Sequence, residues 1–144
     1  MMTPRCHQSL NGEWTLILDP ADVGVKDGWF SAPPGGESLR VRVPSVWDRW
    51  VPDYDGVGWY FHEFDVESAW LQHHVDLHFE AVDYYAEVWL NDVRVGDHEG
   101  GYTPFSFCVT PHLRPEKNLL AVRVIDPHGP EGYGNFRPKE IPSA

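Results

Sequence analysis

Apolar and polar residues alternate along most of this chain with a period of two, which predicts short β-strands and almost no helix. In Leu39-Arg40-Val41-Arg42-Val43 the aliphatic side chains fall on one side and both arginines on the other, until Pro44 ends the run. Tyr60, His62, Phe64 and Val66 share one face of the next segment. Val75, Leu77 and Phe79 alternate with Asp76, His78 and Glu80, and Ala86, Val88 and Leu90, then Leu120, Val122 and Val124, repeat the rule. Phe105, Phe107 and Val109 lie on one strand face and leave Cys108 on the other, where a packed structural thiol is expected in preference to a nucleophile. Seven or more such segments in one chain predict a β-sandwich.

Punctuation between the segments is equally legible. Asn91-Asp92 joins two alternating runs and supplies residue types that tolerate the positive φ of a two-residue hairpin turn, with Asp92 standing where glycine is the usual choice. Gly100-Gly101 allows a bend or bulge before the strand that follows Thr103-Pro104. From Asp19 to Glu37 the alternation dissolves among Gly24, Gly28, Pro33, Pro34, Gly35 and Gly36, so a long surface loop pinned by Trp29 and Phe30 is expected. Residues 126–144 form a Gly/Pro-rich tail that ends without a strand, and residues 1–144 are expected to be one domain interrupted before its last strand.

Composition narrows the class. The 144 residues, 42% hydrophobic and 14% aromatic, suit one globular core, and no apolar run approaches the ~18 residues of a bilayer span. No membrane partner is expected. A net charge of −11 with scattered Lys and Arg disfavours nucleic acid. Two cysteines are too few for a disulfide framework, and no apolar h-region follows the first eight residues, so a cytoplasmic location is favoured.

Candidate chemistry is sparse. Glu63 and Asp65, two apart on one strand, have the spacing of an acid/base pair, yet no apolar surroundings to part their pKa values are visible nearby, and a solvated face is the expected role. His73, His74 and His78 invite a metal, but no second Cys or His cluster in the sequence closes a tetrahedral site, so no metal is expected. Gly35-Gly36 and Gly100-Gly101 lack the Lys-Ser/Thr ending of a phosphate loop, and no cofactor is expected. Trp47, Trp50, Asp53, Tyr54 and Asp55 combine aromatic faces with carboxylates, the make-up of a sugar contact, and are the candidate carbohydrate-binding residues. Trp14, Trp59 and Trp89 sit in strands and are expected to be core or sheet-covering groups.

Five ordered motifs, Leu10-Asn11-Gly12-Glu13-Trp14, Val43-Pro44-Ser45-Val46-Trp47, Tyr54 to Tyr60, Asp83 to Asn91 and His98 to Phe105, resemble the N-terminal sugar-binding domain of glycoside hydrolase family 2, with the last closest to β-glucuronidases and β-galactosidases. The resemblance implies a jelly-roll β-sandwich of galactose-binding-like type, normally followed by an immunoglobulin-like sandwich and a (β/α)₈ barrel. The barrel carries the two glutamates, about 5–5.5 Å apart, that hydrolyse β-glycosides with retention. Those glutamates lie outside this chain, so no catalytic residue is assigned. The family commonly has a more basic residue at the position of His62; if that residue makes a buried ion pair, His62 makes it only when protonated. The expected function is a non-catalytic carbohydrate-binding or scaffold domain of a retaining β-glycosidase, with carbohydrate and the downstream domains as partners and an open sheet edge that favours self-association. A freestanding carbohydrate-binding protein is the alternative.

Overall fold

The computed structural model describes residues 7–43, 54, 56–80, 82, 84–100 and 103–126. The described chain is all-β and antiparallel. Its strands are β1 (Gly12–Leu18), β2 (Leu39–Val43), β3 (Gly56–Phe64), β4 (Asp76–Phe79), β5 (Tyr85–Leu90), β6 (Val93–Glu99), β7 (Phe105–Cys108) and β8 (Asn118–Asp126). Helical structure among the described residues is confined to two 3₁₀ turns, Ser68–Gln72 and Thr110–His112. Among the described residues, no helix is long and apolar enough to cross a membrane.

Six strands form one sheet in the order β2-β1-β3-β8-β5-β6, and β4 pairs with β7 in a second. The core lies between the sheets, as the alternation predicts. Trp14, Leu16, Val41, Tyr60, Val88, Leu120 and Val122 meet Leu77 and Phe79 there, with Phe105 and Phe107 packed against them. This is the two-layer sandwich of the jelly-roll type expected from the sequence. Leu39 departs from the expected inward set: at the outer end of β2 it is 37% exposed, and among the described strands β2 pairs only with β1.

The central strands β3 and β8 are buried on both faces, which the period-two reading did not require. Ile17, Val57, Trp59, Phe61, Trp89 and Ala121 build a second apolar cluster on the far side of the large sheet. The segment from Asp19 to Glu37 covers it without a strand or helix of its own, and Trp29 and Phe30 pack onto it as expected. Phe30 stacks on Trp89 at 5.2 Å and Trp59 on Trp89 at 5.2 Å. The loop is held from beneath by Asp19, which is buried and accepts the Val23 and Gly24 amides at 2.9 and 2.8 Å.

The hairpin turn forms as read: Asn91 and Asp92 have φ of 50° and 74°, and Leu90 pairs with Val93 across them. The bulge, however, falls inside the β5–β6 ladder between Val88 and Trp89, ahead of Gly100. Gly96 sits at this irregularity, where a Cβ would lie 2.3 Å from the Phe107 ring, so the side chain of β7 can lie flat against β6 only over a glycine. His62 also departs from expectation. Its ring stacks on Trp14 at 4.8 Å and its Nδ1 meets the Glu13 carbonyl at 3.2 Å; burial lowers its pKa, the opposite of a group charged by an ion pair. Residues 127–144, and with them nearly all of the Gly/Pro-rich tail, lie outside the described residues.

Candidate functional site

Of the five residues expected to contact carbohydrate, Tyr54 is described; Trp47, Trp50, Asp53 and Asp55 lie outside the described residues. Tyr54 precedes β3 and its hydroxyl donates to the Val57 carbonyl at 2.7 Å, while its ring packs against the main core. Burial pushes its pKa up. The phenol therefore fastens the entry to β3.

A second candidate surface was not visible in the sequence. A cleft of about 990 Å³ opens beside β4, between the segment leading into β1 and the Ser68–Gln72 turn. Leu10 and Trp70 supply apolar walls, and His73, Asp76, His78 and Glu80 bring polar groups to it. His78 Nε2 lies 3.3 Å from Glu80 Oε1. Trp70 is half-buried beside these imidazole and carboxylate groups. Strand alternation fixes His78 and Glu80 on one face, but nothing local to Trp70 says that a single 3₁₀ turn folds it toward them.

The carboxylate pair resolves into ordinary roles. Glu63 and Asp65 are both exposed, and Asp65 Oδ1 accepts the amide of Lys117, which sits in a turn at φ 54°. Neither lies in an apolar pocket of the kind that tunes a catalytic acid. The expectation for Cys108 is corrected: its thiol is exposed, because the outer face of the two-stranded sheet faces solvent. It lies 3.7 Å from His74 Nδ1, and His74 Nε2 lies 2.8 Å from Asp76 Oδ1. The sequence places His74 and Asp76 together but separates Cys108 from them by more than thirty positions, so only the pairing of β4 with β7 reveals the third member.

Comparison with known proteins matches residues 48–132 to the family described as glycosyl hydrolases family 2, sugar binding domain. A β-glucuronidase of Canis lupus familiaris is 34% identical over 114 residues, covering 70% of this chain and 18% of that protein. A β-galactosidase of Bacteroides ovatus is 30% identical over 95% of this chain and 18% of its own length. The crystal structure of a β-glucuronidase from Ruminococcus gnavus superposes with a TM-score of 0.78 at 27% identity, covering 87% of this chain and 23% of that one. The chain thus spans about a fifth of the length of these relatives. On the matched residues, the ordered motifs and the two-sheet architecture, this chain belongs to the sugar-binding domain family of the family 2 glycosyl hydrolases.

Proposed function

We propose that this domain is the non-catalytic carbohydrate-binding and scaffolding part of a retaining β-glycosidase of the β-glucuronidase or β-galactosidase type, working beside a separate catalytic domain in a longer protein. The observation that carries the reading is the family match over residues 48–132 in a chain that spans about a fifth of glycosidases aligned to it. The roles of Glu63 and Asp65 support it, since neither has the setting of an acid/base carboxylate. A freestanding lectin gains no support from the relatives named above, which are glycosidases.

Carbohydrate contact is assigned to the segment of Trp47, Trp50, Asp53 and Asp55, with Tyr54 holding its exit. The test has two arms. The isolated chain is incubated with chromogenic β-glucuronides and β-galactosides, and no turnover is expected; hydrolysis that disappears on Glu63→Gln overturns the non-catalytic reading. Sugar titrations followed by chemical-shift changes are expected to weaken in Trp47→Ala and Trp50→Ala, and unchanged titrations remove that segment from the site. We also propose that the domain associates through a sheet edge when alone, which light scattering over a range of concentrations checks. A mass that stays monomeric throughout sinks that part.

A further inference from the structure

The β4–β7 ladder assembles a thiol, an imidazole and a carboxylate on the solvent side of the small sheet. Asp76 stands directly opposite Cys108 in the register. Their neighbours Leu77 and Phe107 point into the core, so alternation turns Asp76 and Cys108 outward on the same face, where paired residues have Cβ atoms about 4.5–5.5 Å apart. His74 lies two residues before Asp76 and joins that face.

We propose that His74, Asp76 and Cys108 form a binding site for a zinc-type divalent cation, with water completing the coordination. One donor atom from each side chain lies within 4.8 Å of the other two. The imidazole Nδ1 and the Cys108 sulfur are 3.7 Å apart. A tetrahedral zinc with a nitrogen ligand at about 2.0–2.1 Å and a sulfur ligand at about 2.3 Å holds them about 3.6 Å apart, so this pair already has the required separation. Asp76 and His74 are both exposed, and a side-chain rotation carries the carboxylate from the ring to the ion.

The backbone beneath the three groups is fixed by bonds between main-chain groups and Thr110, whose Oγ1 also lies 3.8 Å from the Cys108 sulfur. The Val109 amide donates to the Val75 carbonyl at 2.9 Å, the Val75 amide donates to Thr110 Oγ1 at 2.7 Å, and the Thr110 hydroxyl donates to the His73 carbonyl at 3.2 Å. The donor set selects the cation: a thiolate with an imidazole and a carboxylate suits zinc or cobalt, whereas calcium and magnesium prefer oxygen ligands alone. A net charge of −11 further favours a cation over an anion at this surface.

The next step along the ladder supplies an internal control. His78 pairs with Glu80 at 3.3 Å as His74 does with Asp76, but the residue opposite His78 is Ser106. A hydroxyl is a poor ligand beside a thiolate, so this second set is expected to be silent.

The test uses Co²⁺ as probe and Zn²⁺ as competitor on the 144-residue chain carrying Cys6→Ser, which leaves Cys108 as its sole thiol. A thiolate-to-cobalt charge-transfer absorption saturating at one equivalent and displaced by Zn²⁺ is expected. His74→Gln and Asp76→Asn are each expected to weaken binding about tenfold or more, Ser106→Ala to leave it unchanged, and Cys108→Ser to abolish calorimetric Zn²⁺ binding. Cys108→His is expected to restore Zn²⁺ binding without the sulfur absorption, which guards against a serine variant that misfolds. Absence of the absorption, unchanged affinity in both His74→Gln and Asp76→Asn, or undiminished Zn²⁺ binding in Cys108→Ser overturns the proposal.

Discussion

Trp59 donates its indole N–H to Asp19 Oδ2 at 3.0 Å, and Gly24 lies so close over the same ring that a Cβ there would sit 2.4 Å from Nε1. The loop from Asp19 onward is therefore pressed onto the sheet by an absent side chain as much as by the carboxylate beneath it. Gly24→Ala is expected to lift the loop and cost about 1–3 kcal/mol, since neither the buried indole nor Asp19 has room to give. Denaturant unfolding followed by tryptophan fluorescence measures it. A variant as stable as the parent would show that the loop does not lie on Trp59 in solution.

Arg123, from the centre of the large sheet, ties the same loop down from a second point. Its guanidinium contacts both oxygens of Asp22, at 2.7 and 2.8 Å, and donates to Glu87 Oε1 at 2.7 Å. Asp22 itself has φ of 54°, a conformation that Asp adopts more readily than most residues. Arg123 is nearly buried, Glu87 mostly so and Asp22 half exposed, so the pairing with Glu87 is the less screened of the two. Arg123→Ala is expected to cost about 2–3 kcal/mol, and Arg123→Lys to recover less than half, because an ammonium cannot make the two-pronged contact. Thermal unfolding of the three proteins side by side gives the answer, and full rescue by lysine would mean that charge alone matters.

These relationships mark where the sequence is readable and where it is silent. Alternation gave the strand faces correctly in β3, β4, β5 and β8, because the side-chain period of an extended chain is fixed by geometry. Asn91-Asp92 announced its turn because few residues accept positive φ. What stayed hidden depends on pairing between distant segments. Asp19 reads as an ordinary loop acid, yet it is buried with three donors to satisfy. Cys108 reads as a packed thiol on the face opposite Phe105 and Phe107, and its neighbours His74 and Asp76 stay hidden until β7 lies against β4. Trp70 enters the cleft on a turn with no amphipathic signature. The surroundings of His62, Trp14 and the Glu13 backbone, are hidden for the same reason, since they come from another strand.

Asn118 is wholly buried at the start of β8 and bonds in several directions. Its Oδ1 accepts the Arg114 amide at 2.8 Å and Asn91 Nδ2 at 2.9 Å, and its Nδ2 donates to the Arg114 and Phe64 carbonyls at 2.7 and 3.2 Å. Asn91 in turn reaches the His112 carbonyl at 2.7 Å and accepts the Leu119 amide at 2.9 Å. Asn118→Leu matches the volume but strands these buried groups, and a loss of about 3 kcal/mol or more is expected in chemical denaturation. A near-neutral leucine would mean that water reaches the network.

Asp92 holds the second position of the β5–β6 turn at φ 74°, where glycine is free of the Cβ clash. Its exposure removes packing from the comparison. Asp92→Gly is expected to stabilise the domain by about 1 kcal/mol, the relieved strain outweighing the added freedom of the unfolded chain. A lower unfolding midpoint would show that the aspartate side chain makes a turn contact worth more than the strain.

His62 gives the domain a pH dependence whose sign can be worked out. Burial against Trp14 lowers its pKa below the usual value for histidine, and the contact with the Glu13 carbonyl opposes that shift without reversing it. The unfolded chain therefore takes up the proton first, at about pH 6.5. Stability linked to this ring is present above that pH and is lost as the pH falls through the lower folded value. His62→Phe keeps a ring to stack on Trp14 and removes the titration. The unfolding midpoint of the parent is expected to fall more steeply than that of His62→Phe as the pH drops from about 7.5 toward about 5.5. Other histidines and carboxylates titrate in both proteins, so the difference between the two curves isolates this ring. A parent that gains stability on acidification relative to His62→Phe would show that the protonated ring finds an anion, and the lowered pKa argued for this half-buried ring would then be wrong.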